Sequence, residues 1–181
     1  MRNNHHKTTE EILFSQLISI TGCIIAGSLL AVYIDEILII PGLFLILPGF
    51  LDMRGSISES MAARLTSGLF LGVINPKRMR TKLVKGNVLS SFILAIIVSL
   101  ILGFIAFIFN FLALNILLPK IILIPLIAGF LANLIEIPAT LLTTFYFFKR
   151  GNDPNDIMGP FVKSIVDVIS ITSLILVVIF I

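Results

Sequence analysis

Residues 88–111 run without a single charged side chain. A helix needs roughly 20 consecutive apolar residues to cross the hydrocarbon of a bilayer, and a water-soluble domain has no use for such a run. Residues 12–34, 121–148 and 157–181 are comparably apolar. Over the 181 residues, 57% are hydrophobic and only 13% are charged. In lipid every backbone polar group must be satisfied within the protein, so the expected fold class is an all-α polytopic membrane protein with the lipid bilayer as a partner. The net charge of +3 is small, and the basic residues flank the apolar runs, which argues against a nucleic-acid partner. Cys23 lies inside the first run and reads as a small buried residue.

The apolar runs divide the chain. Residues 1–11 are a polar tail, and segment one, 12–34, ends at Asp35 and Glu36. A long second region, 37–75, is interrupted at Pro48-Gly49 and from Asp52 to Gly55. A basic loop, 76–86, leads to segment three at 88–111. Segment four, 121–148, contains Pro125 and Pro138, and segment five is 157–181. As one straight helix the second region would rise about 58 Å, twice the hydrocarbon thickness. It is expected to be either one long, broken helix or two short spans. Basic residues decide between these. A single crossing places nine Lys and Arg on one side and Lys120 alone on the other, whereas a double crossing gives seven against three. The expectation is therefore one domain over residues 12–181 with five transmembrane helices, the tail and basic loop cytoplasmic, and the C-terminus outside. Five spans contain no internal two-fold, so a dimer is expected, with Gly68 and Gly72 as a face for close helix approach.

Several polar side chains fall within these apolar segments. A charge near mid-membrane costs about 2.5–3.5 kcal/mol on insertion scales, so each needs a partner, water or an ion. Lys163, Ser164, Asp167 and Ser170 share an arc of roughly 120° on segment five, at about 100° per residue. Asp167 is a hard oxygen ligand of the kind Mg²⁺ takes, and the alternative is an i,i+4 ion pair between Lys163 and Asp167. On segment four, Gly129, Asn133, Glu136, Thr140 and Thr143 form one stripe, either polar lining or interhelical glue. Region two offers Gly55, Ser56, Glu59, Ser60, Ala63, Arg64 and Ser67 as a small and polar surface. Arg64 is expected to hold a carboxylate or to bond helix-end carbonyls. Asp153, Asn155 and Asp156 place further oxygen ligands before segment five. Together these groups read as an ion pathway. Asp52, Glu59, Glu136 and Asp167 against Arg54, Arg64 and Lys163 leave a formal charge of −1 per chain, or −2 per dimer. His5 and His6 read as a solvated tail, because no further His or Cys completes a metal site.

Asp153-Pro154-Asn155-Asp156, Gly159-Pro160 and Asp167 resemble the start of the last transmembrane helix of MgtE-type magnesium transporters and their eukaryotic solute-carrier relatives. Arg54-Gly55 with Ala63-Arg64-Leu65 is similar to the second-helix signature of that family. The resemblance covers residues 12–181. Asn155 and Asp156 stand transposed relative to the family's D-P-D-N, and Lys163 stands where the relatives carry a small polar residue. The resemblance implies transport of Mg²⁺, as the carried ion, along a path near a dimer axis that segments two and five line. Asp167, Asp153, Asp156 and Glu59 are the expected metal ligands, and the dimer is a homodimer or a pairing with a paralogous half. No enzyme activity is expected. A phosphatidyltransferase-type enzyme is disfavoured, because no acid follows Arg64 before Asn75. A non-transporting membrane subunit or scaffold is the other alternative.

Overall fold

The computed structural model describes residues 2–180, with side chains described from Thr9 onward; the side chains of His5 and His6 thus lie outside the described residues. Six helices follow one another: α1 (Arg2–Val32), α2 (Ile34–Leu38), α3 (Leu43–Phe70), α4 (Lys82–Leu114), α5 (Lys120–Lys149) and α6 (Pro154–Phe180). There is no strand among the described residues. Four helical stretches are long and apolar enough to cross a membrane: Thr9–Val32, Lys82–Leu114, Lys120–Lys149 and Pro154–Phe180. The helix α3 has 28 residues, about 42 Å at 1.5 Å per residue, but Asp52, Arg54, Glu59 and Arg64 interrupt its apolar character.

The second region is neither of the two arrangements expected. The helix α3 runs unbroken through Pro48-Gly49 and Arg54-Gly55, although Pro48 forfeits a backbone hydrogen bond and crowds the carbonyl four residues earlier; packing of Leu47 and Phe50 in the core holds this turn in place. The chain breaks upstream instead. Between α2 and α3 it turns through Gly42 at φ 77°, a left-handed conformation that costs other residues about 1–2 kcal/mol. The buried Asn110 near the end of α4 locks this turn, its Nδ2 donating to the Pro41 carbonyl at 2.6 Å. Downstream, α3 ends at Phe70, and Gly72 follows outside the helix at φ 72°, the usual left-handed terminator. Gly68 is covered by Ile74, whose Cδ1 lies 2.6 Å from where a Cβ would stand. Gly68 and Gly72 therefore cannot form the helix face expected for dimer contact.

The basic loop is shorter than expected, since α4 begins at Lys82 with Thr81 as its N-cap, Oγ1 accepting from the Val84 N–H at 3.3 Å. Asp153 plays the same part for α6. Its Oδ1 accepts the Asn155 N–H at 2.9 Å, and Pro154 occupies the first helical position, where its missing N–H costs nothing.

The helices α3, α4, α5 and α6 pack on one another, while α1 touches only α6 and α2 among the described helices. The interior has two main apolar clusters. One joins Leu43, Ile46 and Phe50 of α3 with Ala106, Ile124, Ala128, Ile171 and Leu174. The other joins Met61, Leu65 and Leu69 with Val84, Ile137 and Phe145. Between them lies a polar layer centred on Arg54. Its Nε donates to Ser170 Oγ at 3.0 Å and to Glu136 Oε1 at 3.1 Å, and its Nη1 donates to the Gly129 carbonyl at 2.9 Å. Its Nη2 donates to Asn133 Oδ1 at 2.9 Å and forms an ion pair with Glu136 Oε2. Ser170 donates in turn to Glu136 Oε1 at 2.7 Å. The Phe50 ring lies 5.6 Å from the guanidinium. Gly129 lets α4 approach beside the arginine, since a Cβ there would collide with Ser99 Oγ and crowd Arg54 Nη1 at 3.3 Å. The side chains of Arg54 and Glu136 are 0% and 1% exposed, so this pair has no water to fall back on.

Gly42→Ala should lower stability by at least about 1–2 kcal/mol from backbone strain alone, with the Asn110 contact adding to it; the unfolding midpoint in detergent measures this. Glu136→Gln leaves a buried guanidinium without its counter-charge and should cost about 3–5 kcal/mol, whereas Arg54→Met in a Glu136→Leu background should recover most of that. Equal stability of Glu136→Gln and the wild type would show that the layer contributes little.

Candidate functional site: an open carboxylate face on α3 and α6

A continuous α3 fixes which of its residues share a face. At about 100° per residue Arg54 lies roughly 200° from Asp52, so the two point to opposite sides, while Glu59 returns to within about 20° of Asp52. With Arg54 turned inward, Asp52, Ser56, Ala63 and Ser67 are exposed and Glu59 is half-buried. The small and polar surface expected in region two is therefore present on the outside of the helix, minus two members. Gly55 is buried, and Arg64 lies toward α4. There Nε donates to Asn87 Oδ1 at 2.9 Å and Nη2 to Ser91 Oγ at 2.9 Å, while Nη1 donates to Ser60 Oγ at 2.7 Å. Arg64 thus holds neither a carboxylate nor helix-end carbonyls; it ties α3 to α4 through side-chain oxygens.

The polar arc of α6 is split among three neighbours. Ser170 enters the Arg54 layer. Ser164 donates to the Phe161 carbonyl at 2.9 Å and packs against Gly22 of α1, where no Cβ would fit. Lys163 crosses to α3. Its stem passes over Gly55, with Cγ 3.6 Å from where a Cβ would stand, and its Nζ lies 3.9 Å from Asp52 Oδ1. The i,i+4 pairing with Asp167 is not the arrangement the lysine takes. Asp167 itself is 8% exposed. Its Oδ2 lies 4.0 Å from Cys23 Sγ, and its Oδ1 is buried with no hydrogen-bond partner among the described residues. Cys23, expected to be buried, is exposed.

The other candidates are placed elsewhere. Gly129, Asn133 and Glu136 bond Arg54, so this part of the α5 stripe joins α5 to α3. Thr143 and Thr144 bond carbonyls of their own helix. Asp153 caps α6, and Asn155 and Asp156 lie in its first turn, with Asp156 about 16 Å along the helix from Asp167 at 1.5 Å per residue. Among the described residues no three His, Cys, Asp or Glu stand close enough to hold a metal ion together. The expected ligands are therefore not gathered into one site within a chain.

The formal charges also regroup. Arg54 and Glu136 cancel in the core, and Arg64 belongs to the α3–α4 contact. Asp52 and Glu59 on the face, with the buried Asp167 behind it, against Lys163 leave two formal negative charges in this part of each chain, not one. Asp52 was missed as a member because the Pro48-Gly49 and Gly55 positions suggested breaks that would have scrambled the helical phase.

The family model for MgtE, described as a divalent cation transporter, matches residues 47–177. Neither a curated protein nor a solved structure matches the chain significantly. The matched stretch takes in almost all of α3, the whole of α4 and α5, and nearly all of α6, with every carboxylate of the open face inside it. With four helices fit to cross a bilayer, the chain is a multi-pass membrane protein. It belongs to the MgtE family of divalent cation transporters.

Proposed function

We propose that this chain passes Mg²⁺, or a divalent cation of similar size, along a path bounded by α3 and α6, as a homodimer or paired with a paralogous half. The observation that carries the reading is the exposed Asp52–Ser56–Glu59 stripe beside Lys163 and Asp167. Charges on a helix at membrane depth cannot face hydrocarbon without large cost, so this face is covered by water, by a second subunit, or by both. The matching face of a second copy would double the two net negative charges and supply oxygen ligands from both sides, as the few-carboxylate, water-retaining coordination of Mg²⁺ requires. No covalent step is involved. Selectivity rests on ion size and on the field of the carboxylates.

In this arrangement α1, α3, α4, α5 and α6 each cross once. The nine-to-one distribution of basic residues then places the N-terminus and the segment before α4 in the cytoplasm and the C-terminus outside. Asp153 and Asp156 stand at the cytoplasmic end of α6, where they would meet an incoming ion after Asp167.

Proteoliposomes loaded with a Mg²⁺-sensitive dye test the central reading. Wild-type protein should give Mg²⁺ uptake, and Asp167→Asn, which keeps the shape and removes the charge, should reduce it by at least about tenfold at an unchanged unfolding midpoint. Undiminished uptake by Asp167→Asn would remove Asp167 from the path. A single-cysteine set in a Cys23→Ser background tests the geometry. Ser56→Cys should cross-link into a dimer, and Arg78→Cys should react with a membrane-impermeant reagent only from the cytoplasmic side, opposite to a cysteine added at the C-terminus. No cross-link from Ser56, Ala63 or Ser67 would overturn the shared face, and labelling of both ends from one side would overturn the five crossings.

A further inference from the structure

We propose that the Lys163 ammonium is a tethered counter-cation of the ion path, which offsets one of the three negative charges of Asp52, Glu59 and Asp167 when no divalent ion is present and is displaced when one arrives. The inference rests on the transport reading above and adds to it a residue that sets ion affinity.

Three features of the geometry carry it. The first is position. Lys163 sits one turn before Asp167 on α6, its stem lies over Gly55, and its Nζ reaches Asp52 Oδ1 at 3.9 Å. Glu59 lies within about 20° of Asp52 on the same side of α3, so the ammonium stands between carboxylates of two helices.

The second is weakness. The Lys163 and Asp52 side chains are 46% and 75% exposed, and an exposed pair near the outer limit of contact is a weak one. The buried cation of the same helix bundle shows the contrast. Arg54 spends its fork on five fixed acceptor contacts, as a planar guanidinium does when it is structural, whereas an ammonium on a four-carbon stem is a mobile point charge.

The third is incomplete neutralisation. Asp167 Oδ1 is buried and unpartnered among the described residues, and the three carboxylates outnumber the ammonium by two. A divalent cation matches that remainder if the lysine swings aside only enough to relieve repulsion. A resident cation also keeps the ion from being held too tightly, and conduction needs an ion that can leave as readily as it enters.

The test compares the Mg²⁺ concentration giving half-maximal uptake in proteoliposomes for wild type, Lys163→Met and Lys163→Arg. Removing a unit charge some 4 Å from a divalent ion should lower that concentration by roughly tenfold. Lys163→Arg, which keeps the charge, should stay within about twofold of wild type. An unchanged or raised half-maximal concentration in Lys163→Met, with wild-type uptake intact, would overturn the counter-cation while leaving transport standing. Absence of uptake by the wild type would overturn both. Lys163→Gln is the same test if the Met variant does not fold. The unsubstituted protein offers a second readout. Labelling of Lys163 by an amine-reactive reagent, followed by peptide mass spectrometry, should increase when Mg²⁺ is added, and constant or reduced labelling would overturn the displacement.

Discussion

The buried guanidinium of Arg54 is the interaction on which the rest of the arrangement depends. It binds α5 through Gly129, Asn133 and Glu136 and α6 through Ser170, so three helices are pinned at one depth. A helix in lipid has little to fix its rotation, because hydrocarbon solvates any apolar face equally well. A charged group with one fully satisfied position removes that freedom. Once Arg54 points inward, the phase of α3 is set, and Asp52, Ser56 and Glu59 have no choice but to point outward. The exposed face is thus a consequence of the buried one.

The ionisable groups fall into two kinds by the same logic. Those of the core are matched in charge and saturated in hydrogen bonds, and replacing such a pair with apolar residues of similar volume is often tolerated. Those of the face are unmatched and partly wet. Asp52 and Lys163 meet at 3.9 Å in the open, and Asp167 keeps one oxygen without a partner among the described residues. A chain built for stability alone would have paired or deleted these groups.

Much of this was legible in the sequence. The long uncharged runs specify the spans, and Asp153-Pro154 specifies where α6 starts, since a capping carboxylate followed by proline satisfies a helix N-terminus in one way only. What sequence reasoning misplaced depends on long-range contact. Pro48 and Gly55 look like breaks, yet the neighbouring helices hold α3 straight through both. Gly68 and Gly72 look like a packing face, yet Gly72 terminates the helix and Ile74 folds back over Gly68. Arg54 and Arg64 look alike on paper. Only the partners on α5 make one of them the core, and only Asn87 and Ser91 make the other a strut. Lys163 and Asp167 are spaced to pair, but the pairing that forms goes to Asp52 on α3, with the lysine stem lying over Gly55.

The outlying position of α1 has a mechanical meaning. Among the described helices it leans on α6 and the short α2 alone, and its closest approach is at Gly22 against Ser164. Most of its surface therefore meets acyl chains, whose length sets the tilt that best matches an apolar helix to the bilayer. Cys23, the residue after Gly22, lies 4.0 Å from the Asp167 carboxylate.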